Sequence, residues 1–174
     1  AGQVCTSPTR FFVDQKIFAP YAAAFAERAA AVNIGNGMTP GVEMGPVANH
    51  RRIEAIDALV EDARAKGAKV LTGGARPNGP GYFYPVTVLA EVPDDARVMR
   101  EEPFGPLAVI NPTASLDEAI ACANALPFGL AGYAFTHDAA TADRLMNEVE
   151  VGNFSINTLE ASVAEVPFGG VKAS

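Results

Sequence analysis

Between Leu107 and Asn157, short apolar runs alternate with amphipathic segments, and this alternation narrows the folds open to the chain. Leu107 to Ile110 reads as a buried strand. Ser115-Leu116-Asp117-Glu118 follows, a box in which Ser115 and Glu118 satisfy each other's orphan amides at a helix start. That helix is expected to run to about Leu126. Ala131 to Thr136 reads as a second strand, Asp138 as the cap of a helix to about Glu148, and Gly152 to Asn157 as a third strand. Strands joined by crossover helices connect right-handedly and lie parallel, with helices over both faces. The expected fold class is α/β, a layered and mostly parallel sheet flanked by helices.

The first half opens with a strand-like run from Arg10 to Ile17. A helix follows with Pro20 in its first turn, where the missing amide donor costs nothing. Tyr21, Phe25, Ala29 and Val32 form its expected apolar stripe. A second helix is expected from about Asn49 to Lys66. Ile53, Ile56, Val60 and Ala63 recur there at helical spacing, and Gly67 supplies the stop. Two loops rich in turn-forming residues flank it: Asn33 to Gly41, and Gly73 to Gly81. Neither is long enough for a domain linker, and 174 residues fit one domain. A chain of this size buries roughly 70% of the surface that it exposes when unfolded.

Several function classes are excluded by composition. Net charge is −7 and the basic residues are scattered, which argues against nucleic acid or an anionic membrane surface as partner. The longest uncharged apolar run, Leu107 to Leu116, is interrupted by Asn111, Pro112 and Ser115 and is too short for a membrane span. No signal peptide is visible. Two cysteines, Cys5 and Cys122, make no disulfide framework, so a reduced, cytoplasmic setting is expected. With no CxxC and only His50 and His137, far apart, no metal site is expected. No GxGxxG follows a strand.

Three segments carry candidate chemistry. Gly2-Gln3-Val4-Cys5-Thr6 brackets a lone thiol with a small residue and an amide. A free cysteine is more often a small buried hydrophobe than a nucleophile; Cys122, mid-helix among Ala119, Ile120 and Ala123, reads that way. In Glu101-Glu102-Pro103-Phe104-Gly105-Pro106, Pro103 pushes Glu102 into an extended conformation. A carboxylate on such a loop can accept both hydroxyls of a ribose, and the following phenyl can pack on a nicotinamide ring. The plainer reading is a charged turn with an anchoring phenylalanine. Third, Asn153 to Thr158 closes a strand, the loop Leu159 to Val166 follows, and Pro167-Phe168-Gly169-Gly170-Val171-Lys172 ends the run. Polar residues at the carboxyl end of such a strand are well placed for a site.

In this order and at these separations, the three segments resemble the catalytic half of the NAD(P)-dependent aldehyde dehydrogenase family, over essentially the whole chain. The resemblance implies oxidation of a small-molecule aldehyde to a carboxylic acid, with NAD or NADP as cofactor. Cys5 matches the family nucleophile, with its own amide as one oxyanion donor. Glu102 matches the ribose-binding glutamate and Phe104 the aromatic beside the nicotinamide. Glu101 is expected in solvent or paired with Arg97 or Arg100. The loop before Pro167 faces the aldehyde in the family, where Phe168 either lines the tunnel or anchors the loop; the anchor is the favoured reading. Ser162 sits where the succinate-semialdehyde branch binds its substrate carboxylate, while Glu160 and Glu165 argue against an anionic substrate.

The same resemblance implies that the chain opens inside one motif and stops inside another. On that expectation, a second oxyanion donor, the general-base glutamate and most cofactor contacts lie upstream. A strand that pairs with another subunit lies downstream. The full-length protein is then a homodimer or homotetramer, and these 174 residues alone have no turnover. Two other classes stay open at this point: a cysteine hydrolase or acyltransferase, which needs a histidine at Cys5, and a non-enzymatic α/β interaction domain.

Overall fold

Ile53, Ile56, Leu59, Val60 and Ala63 fall on one side of a helix, α2 (His50–Ala65), and all are buried. Asn49 starts it: the side chain accepts the Arg52 N–H at 3.1 Å and satisfies one of the open amides of the first turn. Gly67 follows its end at φ +98°. The helix therefore begins and stops where periodicity and capping place it. The computed structural model describes all 174 residues, which form two compact units, Ala1–Pro112 and Thr113–Ser174.

In the first unit, β1 (Arg10–Asp14), β2 (Lys69–Thr72), β3 (Thr87–Ala90) and β4 (Leu107–Thr113, its last residue in the second unit) form one sheet, ordered β1-β4-β3-β2. β3 and β4 are parallel, in register from Thr87 opposite Leu107 to Ala90 opposite Ile110. β2 is antiparallel to β3, with a register shift between Val70 and Thr72. Side chains alternate across a strand. Leu89, Leu107 and Val109 accordingly join the core under α2. Val88 and Ile110 join Val13, Ala22 and Ala29 in a second core under α1 (Phe18–Ala30). The sheet is covered on both faces, as expected.

β1 stops three residues earlier than the sequence suggests. The Asp14 carboxylate accepts the Lys16 N–H at 2.8 Å and its carbonyl accepts the Ile17 N–H, so the chain turns instead of extending. The buried side of α1 runs through Ala22 and Ala29, with Phe18 and Phe25 packed against the same core. Tyr21 stays at the rim, its ring 6.0 Å from that of Phe25, and Val32 lies beyond the helix end.

The second unit holds α3 (Leu116–Asn124), β5 (Phe128–Gly129), β6 (Ala131–Ala134), α4 (Ala139–Glu148), β7 (Asn153–Ile156) and β8 (Val171–Lys172). β6 and β7 are parallel through α4, from Ala131 opposite Asn153 to Ala134 opposite Ile156. The expected single sheet through β4, β6 and β7 does not form, because both edges of β4 are already hydrogen-bonded to β1 and β3. Instead β6 pairs only with β7, and β5 pairs antiparallel with β8. Of the helices here, α3 buries Ile120, while α4 buries no residue fully.

Polar ties hold the second unit's helix ends. Ser115 Oγ accepts the Glu118 N–H at 3.2 Å, while the Glu118 carboxylate reaches back to the Ala114 N–H, one residue earlier than a reciprocal box requires. α3 ends at Asn124, two residues before the expected stop. The Asn124 side chain donates to Glu148 O and accepts the Glu150 N–H, joining its own helix end to that of α4. Lys172 Nζ donates to Asn124 O and Leu126 O at the end of α3, where a cation suits the open carbonyls.

Candidate functional site

Cys5 occupies the second position of a turn closed by the Ser7 N–H on Val4 O at 3.0 Å. It is exposed, and neither its thiol nor its N–H has a hydrogen-bond partner in the chain. The residues before it fix where this turn sits. Gln3 Oε1 accepts the Ala48 N–H at 2.9 Å, just ahead of α2. Gly2 has φ +67°, and a Cβ there would stand 2.2 Å from the carbonyl oxygen of Gly105. Only glycine fits that backbone-to-backbone approach. The first two chemistry-bearing segments, about a hundred residues apart, therefore meet in the fold.

The acidic segment divides its two carboxylates. Glu101 takes a two-pronged bond from Arg97, Nε to Oε1 at 2.7 Å and Nη2 to Oε2 at 3.0 Å. The Arg97 hydrogen bond holds the Glu101 carboxyl below the usual carboxylate range. Arg97 is itself seated by its backbone N–H on Asp62 Oδ2 of α2, at 2.7 Å. That bond, followed by those from Lys66, keeps Asp62 low as well. Glu101 thus takes one of its expected partners, Arg97. Glu102 is exposed and carries no such tie.

Phe104 is half-buried with φ +43°, a left-handed conformation that a bulky residue adopts only under constraint. Both of its neighbours are held from α2. Arg52 Nη1 donates to Pro103 O at 3.3 Å, and a Cβ at Gly105 would stand 2.5 Å from Ile56 Cδ1. Sequence reasoning read Gln3 only as the amide beside the thiol and Ile56 only as part of the α2 stripe, and it passed over Arg52. Their joint role was signalled only by the glycine placed in each of the two segments.

Ser162 and Phe168 lie in the second unit and are exposed. Ser155 Oγ donates to Glu160 O at 2.6 Å and the Glu160 N–H donates to Thr158 Oγ1 at 3.2 Å, which shapes the entry to the loop. Phe168 keeps 47% of its surface open. Asn157, at φ +58°, continues the β6–β7 ladder. Its N–H bonds Ala134 O, and its side chain exchanges two bonds with Thr136.

Neither histidine bonds to Cys5: His50 Nδ1 lies 3.4 Å from Glu54 Oε1, and His137 is exposed in the second unit. No group of three or more His, Cys, Asp or Glu side chains stands ready for a metal ion. No helix is long and apolar enough to cross a membrane.

Comparison with known proteins gives this site its context. The model of the aldehyde dehydrogenase family matches residues 1–174. The chain is 48% identical over 174 residues to 4-(hydroxymethyl)benzenesulfonate dehydrogenase TsaD1 of Comamonas testosteroni, covering 100% of this chain and 36% of that one. It is 38% identical over 173 residues to succinate-semialdehyde dehydrogenase [NADP(+)] 1 of Mycobacterium ulcerans, covering 99% of this chain and 38% of the relative. A solved betaine aldehyde dehydrogenase point mutant from Staphylococcus aureus, in complex with NAD+ and with a modified cysteine, superposes with a TM-score of 0.94 at 34% identity. That match covers 99% of this chain and 35% of the other. The chain spans little more than a third of the length of the curated relatives it matches. Matched along its full length, with its exposed thiol turn packed against the Glu102 turn, the chain belongs to the aldehyde dehydrogenase family.

Proposed function

We propose that this chain is the thiol-bearing part of an enzyme that oxidises a small aldehyde to a carboxylic acid with NAD(P)+. The observation that carries the reading is the contact of Gly2 with Gly105. It brings the turn of an unpartnered Cys5 against the turn of an unpartnered Glu102. The Cys5 thiolate adds to the aldehyde carbon, and the Cys5 N–H is free to donate to the oxygen that becomes negative. A bound nicotinamide supplies the acceptor for the hydride that leaves that carbon. Cys5 then holds the acyl group as a thioester, which water cleaves to the carboxylic acid and the free thiol. The residue that activates this water is proposed to lie outside these 174 residues, so the chain alone has no turnover.

Glu102, exposed and unshared, fits a ribose diol, and Phe104 fits the ring beside it. Glu102→Gln in the natural polypeptide that carries this chain tests the reading. Adduct formation at Cys5 should persist while single-turnover hydride transfer slows by up to about 100-fold. An unchanged hydride-transfer rate returns Glu102 to solvent. A hydrolase would instead need a histidine base at Cys5, and His50 pairs with Glu54.

For the aldehyde, the specific candidate is succinate semialdehyde. Ser162 supports it by offering an exposed hydroxyl, and a relative bears that name. Glu160 and Glu165, exposed on the same loop, oppose an anion. Ser162→Ala should lower selectivity for succinate semialdehyde over an uncharged aldehyde of similar length by roughly 10-fold or more. Equal losses on both would make Ser162 a loop-shaping residue. The full protein is proposed to be a cytoplasmic homodimer or homotetramer.

A further inference from the structure

Glu102 and Phe104 stand on a turn whose shape is not their own doing. Phe104 holds a left-handed backbone, and a strained residue keeps such a conformation only when its surroundings over-determine it. Those surroundings are α2. Arg52 Nη1 grips the carbonyl of Pro103 on one side of Phe104, and on the other a Cβ at position 105 would stand 2.5 Å from Cδ1 of the fully buried Ile56. Arg52 comes from the first turn of the helix, whose start is fixed by the Asn49 cap. The thiol turn leans on the same structure: Gln3 bonds Ala48, just ahead of that cap, and Gly2 abuts Gly105.

We propose that Arg52 is a positioning residue: through Pro103 O it holds Phe104 and Glu102 in the geometry that receives the nicotinamide side of the cofactor, in register with Cys5. The guanidinium acts through the Pro103 carbonyl that it holds. It acts by denying Pro103-Phe104 the ordinary right-handed or extended backbone to which it would relax. This deepens the proposed dehydrogenase reading and rests on it. The first chemical step is largely independent of Arg52, because the turn of Cys5 is also tied by Gln3 to Ala48, ahead of α2.

The test uses Arg52→Met, Arg52→Lys and Glu102→Gln in the natural polypeptide that carries this chain. Calorimetric NAD+ or NADP+ binding, alkylation of Cys5 without cofactor, and single-turnover hydride transfer are read side by side. Arg52→Met should weaken cofactor binding about 10-fold and slow hydride transfer by a comparable factor, while Cys5 alkylation stays within about twofold of wild type. Arg52→Lys, which keeps a cationic donor, should recover part of the binding loss. Binding unchanged in Arg52→Met but weakened in Glu102→Gln overturns the positioning role and leaves the dehydrogenase reading standing. Binding unchanged in both removes Glu102's turn from the cofactor site, and the proposal with it. Equal loss of binding and Cys5 alkylation with a lowered melting temperature makes Arg52 merely structural. A wild-type protein that binds neither cofactor sinks the functional reading itself.

Discussion

At the scale of single residues, exposure and partners separate groups that look alike in sequence. Cys5 is open on a turn, whereas Cys122 is half-buried in α3. Limiting iodoacetamide followed by peptide mass mapping should label Cys5 first; preferential labelling of Cys122 would remove Cys5 as nucleophile. Tyr84 carries the opposite lesson. It is 1% exposed and its hydroxyl finds no partner with hydrogen-bond geometry. Burial, followed by the nearby Asp57 carboxylate, raises its pKa. Tyr84→Phe should therefore be neutral or stabilising by up to about 1 kcal/mol in urea unfolding, since it removes a buried polar group that gains nothing. A clear loss of stability would show that the hydroxyl has a partner in solution. Cys5 and Glu102 were both legible in the sequence as candidates. Arg52 was not, because it acts on a carbonyl 51 residues away. The left-handed Phe104 was not either, since nothing in an aromatic residue signals positive φ.

At the scale of elements, legibility tracked period and length. α2 announced itself through Ile53, Ile56, Val60 and Ala63, with Asn49 and Gly67 as its punctuation. β3 did not: its four residues are all buried, so no alternation marks them, and a run that short is ambiguous on its own. β5 and β8, two residues each, exist only through their mutual pairing. Asn157 and Asp62 are the side chains to alter at this scale. Asn157→Ala should cost about 1–3 kcal/mol, because it loses the Thr136 bonds and with them the local polar contacts that let asparagine tolerate φ +58°; Asn157→Gly, free of the Cβ penalty at that φ, should cost less. Urea midpoints of the two variants give the order, and equal costs would assign the loss to the hydrogen bonds alone. The other concerns acid. Asp62 and Glu101 are both held below their usual range in the fold. Their contribution is complete above an unfolded-state pKa of about 4 and fades as pH falls through the lowered values. The urea midpoint of Asp62→Asn should therefore fall less than that of wild type between about pH 5 and pH 3; parallel declines would show that Asp62 carries none of the acid sensitivity.

At the scale of the whole molecule, the two units differ in how much they bury. Both apolar clusters lie in residues 1–112, where α1 and α2 close the sheet. In the second unit Ile120 is buried, but Phe135, Met146, Leu159, Val163, Val166 and Phe168 stay open, Phe135 at 67%. Native-state hydrogen exchange should be slowest for amides of α2, β3 and β4 and faster throughout β6, α4 and β7. Matching protection in both would contradict this reading. The α/β class was legible because strand and helix periods alternate. The partition of the sheet was not, because which edge of β4 is taken depends on β1 and β3, strands far from it in sequence. The buried side chains also decide what a calorimeter would see. Heat-capacity change on unfolding follows apolar surface newly wetted. Residues 113–174 hold little that is still dry, so their melting should be broad and nearly flat in baseline, while residues 1–112 carry almost the entire step.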